Sequence, residues 1–222
     1  MTGTALLVID PQVDFLAMVE PGGARTCGAE AALAGMAGLV AAARARGAPV
    51  VFTQELHRPG RVDVGRELDG DEPEHCVQGT PGAELVAALR PGPGEHLVRK
   101  RRYSAFFATD LDLLLRGLGV RTIVACGFLS DVCVHYTCVD AHQLDLRVHV
   151  VPEACAGSSA AASVAAFAAV EYLQSGAILS PEAAACALGG EPTATPGRRE
   201  PGAPSAQDRR ARTAGRRSRS SA

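Results

Sequence analysis

The chain has 222 residues, 47% hydrophobic but only 4% aromatic with no Trp, enough for one globular domain whose core is built mainly from Ala, Val and Leu. Its net charge of −2 divides unevenly: residues 190–222 hold eight Arg against three acidic residues, a sum of +5, so residues 1–189 carry −7. An acidic body argues against a nucleic-acid-binding domain, and "MTGTALLVIDPQ" reads as neither signal peptide nor membrane span, so a cytoplasmic protein is expected.

Short apolar runs alternate with helical patterns. "ALLVID" (5–10) predicts a first strand, an Ala-rich helix follows over about 30–46, and "APVVFT" (48–53) predicts a second strand. A polar stretch bearing Gly and Pro over 54–79 is too long for a plain connection and reads as a functional loop. A short helix near 83–89 and the strand "HLVRK" (96–100) come next. A helix near 109–117, the strand "RTIVACG" (121–127), a helix near 131–144 and the strand "RVHVVP" (147–152) continue the alternation. A helix over about 159–174 leads to a sixth strand, "GAILS" (176–180). The pattern predicts a three-layer α/β/α Rossmann-like fold with a six-stranded parallel sheet, in residues 1–188. Residues 189–222, rich in Arg, Pro, Gly and Ser, are expected to be a disordered tail without a specific role.

In such a sheet ligands bind beyond the carboxyl ends of the strands. There the sequence places Asp10, Gln54 and Glu55, Lys100, and the loop leading to Cys133. The seven cysteines are odd in number and irregularly spaced, which fits reduced thiols, most of them core residues. Cys126, Cys76 and Cys138 read as structural, and a redox pair of Cys133 with Cys138 lacks the usual spacing. Cys133 differs in following Ser130 and Asp131, either of which suits a helix N-cap, so its thiol falls in a first turn where the helix dipole favours a thiolate. The amides of Leu129 and Cys133 would face charge developing on a carbonyl oxygen. His135 and His142 follow on the same helix, neither clearly facing the thiol. Asp10 is the better base, and Lys100 supplies a fixed positive charge.

The blocks that carry these residues resemble the isochorismatase-like cysteine hydrolases, which include nicotinamidases, ureidoacrylate and biuret hydrolases and N-carbamoylsarcosine amidases. The resemblance covers about residues 4–180. "LLVIDPQVDF" is similar to the family's opening block, "KRRYSAF" (100–106) to its Lys block and "GFLSDVCVHYT" (127–137) to its Cys block; "HCVQGTPGAEL" (75–85) is similar to a nicotinamidase segment. Pro11 departs from the usual apolar residue, tolerably for a strand end. The resemblance implies a catalytic Asp10, Lys100 and Cys133, oxyanion-binding amides on Leu129 and Cys133, and a cis peptide between Phe128 and Leu129. It also implies cleavage of the C–N bond of a small carboxamide or ureide through a thioester, with no cofactor required, and a homo-oligomer. Phe15, Tyr103, Phe106 and Tyr136 are candidate pocket walls. Nicotinamidases hold a metal through an Asp-x-His pair and later histidines. The matching residues are Glu55, His57 and His75, weak candidates for Zn or Fe, and the remaining family histidine falls near Asp63, where this chain has none. Two alternatives stand beside the amidohydrolase: a vinyl-ether hydrolase, which would not need Cys133, and a catalytically silent scaffold that binds a metabolite or partner.

Overall fold

The computed structural model describes residues 3–17 and 28–190. Its elements are β1 (Thr4–Ile9), α1 (Val13–Ala17), α2 (Ala29–Arg46), β2 (Val50–Glu55), β3 (His96–Lys100), α3 (Leu111–Gly117), β4 (Thr122–Phe128), α4 (Cys133–Gln143), β5 (Arg147–Ala156), α5 (Ala160–Leu173) and α6 (Pro181–Leu188). The strands form one parallel sheet in the order β3-β2-β1-β4-β5. β1 and β2 are buried along their whole length, which is why they read as near-continuous apolar runs rather than alternating ones. α2 packs on β1, β4, β5 and α6, while α4 packs on β4, β5 and α5, so helices flank the sheet. α2 ends at Gly47, whose left-handed φ of 65° lets its N–H reach back to the last carbonyls. Among the described residues no helix is long and apolar enough to cross a membrane.

The sheet has five strands, not six. The expected strand at 176–180 makes one isolated bridge, Val150 with Ile178. Side chains capture the backbone groups that a ladder would need. Glu171 accepts from the N–H groups of Gly176, Ala177 and Ile178 at 2.8–3.1 Å, and the Gln174 amide occupies both N–H and C=O of Val148. The expected helix near 83–89 is instead two single 3₁₀ turns, Pro81–Ala83 and Ala87–Leu89. Between them Glu84 and Val86 bond with Val13 and Pro11, which holds the chain extended. α1 and α6 had no counterpart among the predicted elements. α6 ends at Leu188, and the tail expectation lies, from residue 191 onward, outside the described residues.

Candidate active site

Four adjacent strands end side by side with chemically active groups. In sheet order they are Lys100 on β3, Glu55 on β2, Asp10 just after β1, and Cys133 opening α4 after β4. Register pairs Glu55 directly with Lys100, and Ile9 with Gly127. Gly127, at φ 135°, lets β4 approach β1: a Cβ there would lie 2.0 Å from the Ile9 carbonyl oxygen. On the other side Asp10 adopts a left-handed φ of 49°, a region Asp tolerates better than most residues. Pro11 then closes a three-residue turn, with Gln12 N–H donating to Asp10 O at 2.8 Å. Its fixed φ suits that position, and a turn centre needs no N–H.

The side chains converge. Lys100 Nζ lies 2.7 Å from Asp10 Oδ2, 2.5 Å from Glu55 Oε2 and 3.3 Å from Cys133 Sγ. The Thr53 hydroxyl donates to Asp10 Oδ1 at 2.6 Å and accepts from the Asp10 N–H at 3.0 Å. Asp10, Glu55 and Lys100 are fully buried, and Cys133 is 3% exposed. Burial raises the Asp10 carboxyl, and Glu55 adds to that, against the lowering by Lys100 and Thr53. For Lys100 burial opposes the charge, yet Asp10, Cys133 and Glu55 outweigh it and hold the ammonium well above its ordinary range. At Cys133 burial works against the expected thiolate. Burial, together with Glu55 and Asp10, pushes its thiol well up despite Lys100, against the pull of the helix start. That thiol donates to Glu55 Oε2 at 3.4 Å.

Cys133 is the first residue of α4, but neither expected cap serves it. The N-cap position is Val132, with no side-chain bond. Ser130 Oγ pairs instead with Ser163 Oγ at 2.7 Å, and Asp131 accepts from the Ser158 N–H at 2.8 Å. The Phe128–Leu129 peptide is cis. Among the described residues the amides of Leu129 and Cys133 donate to no protein acceptor, whereas their neighbours Ser130, Val132 and Val134 do.

A second cluster adjoins the first. His57 Nε2 lies 3.0 Å from Glu55 Oε1 and 3.0 Å from Glu67 Oε2, and His75 Nε2 lies 3.1 Å from Glu55 Oε1. One ligand atom each from Glu55, His57, Glu67 and His75 fall within 4.8 Å of one another, all on buried residues. Glu67 was not legible as a member, since it sits in a stretch of alternating surface charges. Asp63, near the position of the family's other histidine, stays outside and pairs with Arg58 and Arg101. Burial pulls both histidines down, but the hydrogen bonds and charge of Glu55, joined at His57 by Glu67, raise each to about 9. Burial opposes the Glu55 charge in turn, yet Lys100, His57 and His75 hold its carboxyl well below the usual range. Thr53, Glu67 and the bond of Glu55 to the thiol are the parts that sequence reasoning missed.

The candidate pocket walls divide. Phe15 is buried, with its ring centroid 5.8 Å from His75 and 6.2 Å from Phe128. Tyr103 and Tyr136 face each other at 5.8 Å, with Tyr136 half-exposed three residues after Cys133. Phe106 lines a cleft of about 370 Å³ with Phe107, Ala108 and the C-terminal end of α4, which Asp10, Lys100 and Cys133 do not line.

A family model described as an isochorismatase domain matches residues 4–183. The chain belongs to the isochorismatase family. Family members similar to it include a streptothricin hydrolase from Streptomyces noursei, 39% identical over 146 residues, covering 65% of this chain and 46% of that protein. A ureidoacrylate amidohydrolase from Variovorax paradoxus is 34% identical over 164 residues, covering 64% of each chain, so the matched region spans less than two thirds of either curated relative. Among solved structures, an isochorismatase family protein from Desulfovibrio vulgaris superposes with a TM-score of 0.70 at 35% identity, covering 82% of this chain and 95% of that one. The pyrazinamidase of Pyrococcus horikoshii, solved in complex with zinc, superposes with a TM-score of 0.69 at 30% identity, covering 80% and 99%.

Proposed function

We propose that this isochorismatase-family protein is a cysteine amidohydrolase that cleaves the C–N bond of a small carboxamide or ureide. The observation that carries this reading is the meeting of Asp10, Lys100 and Cys133 on one buried ammonium, with Lys100 Nζ within 3.3 Å of both partners. The names of the amidohydrolase and pyrazinamidase relatives point the same way. A nucleophile 3% exposed suits a small, enclosed substrate.

In the proposed reaction Asp10 takes the thiol proton as Sγ attacks the carbonyl carbon, and the Leu129 and Cys133 amides hold the oxyanion. The C–N bond breaks as Asp10 returns the proton to the leaving nitrogen, releasing ammonia or an amine. Water then attacks the thioester, losing a proton to Asp10, and the S–C bond breaks to give the acid and the restored thiol. Lys100 stays charged throughout. It balances whichever of Asp10 and Sγ is anionic.

The second cluster fits a divalent metal. Glu67 Oε1 is buried without a partner, and the His75 Nδ1–H is placed to donate to Pro73 O at 2.8 Å, so that Nε2, which faces Glu55 Oε1, is the nitrogen that would ligate. Two nitrogens and two carboxylates suit Zn or Fe, which would orient or polarise a substrate group beside the nucleophile. Glu55, His57, Glu67 and His75 would hold it. Metal analysis of protein purified without chelators decides this point.

The reading is tested by an ammonia-release panel of nicotinamide, pyrazinamide, biuret, ureidoacrylate and N-carbamoyl amino acids, run with a Cys133→Ala control. Release from at least one compound, abolished in the control, is expected. A control that keeps the wild-type rate would overturn the nucleophile assignment, and no release from any compound would favour a vinyl-ether hydrolase or a binding scaffold.

A further inference from the structure

Among the described residues Glu55 is the one side chain that touches both clusters, and its two oxygens divide them. Oε1 faces the loop, at 3.0 Å from His57 and 3.1 Å from His75. Oε2 faces the triad, at 2.5 Å from Lys100 Nζ and 3.4 Å from Cys133 Sγ. Its backbone is fixed as well. Gln12, itself fully buried, accepts from the Glu55 N–H and donates to the Glu55 carbonyl, both at 2.8 Å. The carboxylate therefore leaves a rigid strand end in a set direction. Asp10, by contrast, spends its oxygens on Thr53 and Lys100 and makes no hydrogen bond to the thiol.

We propose that Glu55 is a positioning residue for the amidohydrolase reaction: its Oε2 fixes the Cys133 thiol in one rotamer and shares Lys100 with Asp10, while the histidines anchor its Oε1. The proposal rests on Cys133 being the nucleophile. Its physical content is a division between two carboxylates. Without Glu55, Asp10 would be the one carboxylate left to Lys100 among the described residues, and Sγ would lose its only hydrogen-bond acceptor among them. A shorter carboxylate would not serve both clusters. Removing one methylene withdraws the group by about 1.5 Å, enough to break contact on one side.

The experiment measures kcat and KM of wild type, Glu55→Gln and Glu55→Asp on the panel amide that is turned over fastest, each before and after treatment with a chelator. For Glu55→Gln, kcat is expected to fall roughly 100-fold, the scale of a misplaced reacting group, with KM within about 3-fold. It should also fall below that of chelator-treated wild type. Glu55→Asp should lie between the two, guarding against a glutamine variant that fails to fold. A Glu55→Gln kcat within about 3-fold of wild type overturns the proposal, as does an aspartate variant indistinguishable from wild type. Equality of Glu55→Gln with chelator-treated wild type also overturns it, leaving Glu55 as a metal ligand only. Failure of the underlying reading shows separately, as activity that survives Cys133→Ala.

Discussion

The two buried clusters share one carboxylate but are built by different means. Lys100 and Asp10 close β3 and β1 on either side of β2, and Cys133 opens α4 just beyond β4, so the backbone of the sheet places them before any side chain interacts. His57, Glu67 and His75 come from the excursion between β2 and β3, where no ladder holds them. Charge and single hydrogen bonds do that work instead: His57 N–H to Cys76 O, Gln78 N–H to His57 O, and Cys76 N–H to Asp14 Oδ2 at 2.6 Å. Backbone geometry therefore governs the first cluster, and electrostatics the second.

Breaking the first cluster should produce the largest effects. Lys100→Met removes the cation between two fully buried carboxylates. Loss of one partner of a buried ion pair typically costs about 3–5 kcal/mol. Urea denaturation should show a loss of that size together with loss of activity, and unchanged stability would mean that the carboxylates are not held by Lys100. Gly127→Ala strikes the backbone instead. Its new Cβ would meet the Ile9 carbonyl oxygen at 2.0 Å at a φ of 135°, so the β1–β4 edge must part. A cost of about 1–3 kcal/mol for the strained conformation, plus the clash, is expected in the same assay. Gly117→Ala, at the end of α3 with nothing near its Cβ, should cost nothing and serves as the control.

The second cluster should respond to pH. His57 and His75 are raised from 6.5 to about 9, so they bind protons more tightly in the folded protein. The stability this contributes is fully present below pH 6.5 and is lost as pH rises through about 9. A raise of that size corresponds to roughly 3 kcal/mol for an isolated site, and to less than double for the pair, because both face the same Glu55 oxygen. The melting temperature of chelator-treated protein should therefore fall across this range. If the cluster binds a metal, loading replaces the protons and flattens the fall; an identical fall with and without added Zn would speak against a metal there.

The same contrast explains what the sequence disclosed. Runs such as "ALLVID" and "HLVRK" announce strands, and a parallel sheet brings strand ends to one edge, so the convergence of Asp10, Glu55, Lys100 and Cys133 was legible from pattern alone. The sixth strand failed because Glu171 and Gln174, read as ordinary helix residues, take the backbone groups of their neighbours. Glu67 escaped notice because a buried carboxylate within a charged loop has no periodic signature. The environment of the Cys133 thiol was hidden for a related reason. A helix start favours the thiolate, but burial opposes it first, and the two buried carboxylates beside it are long-range neighbours whose charge no local rule counts.

The smallest effect should come from the charged rim of the excursion, although it is rich in ion pairs. Arg66 pairs with Asp69 at 2.7 Å, but the two side chains are 92% and 56% exposed. Water screens such a pair, and ordering two long side chains opposes it, so it is worth about 0–1 kcal/mol. Arg66→Ala should then move the melting temperature by less than about 3 °C for a chain of this size. Glu67, one residue further along, touches His57 from a buried position. Glu67→Gln should accordingly lower the melting temperature more than Arg66→Ala does, measured at neutral pH in the same buffer. If the exposed arginine mattered as much as the buried glutamate, the loop would be held from its surface, and the claim that Glu55 and its histidines organise it would be lost.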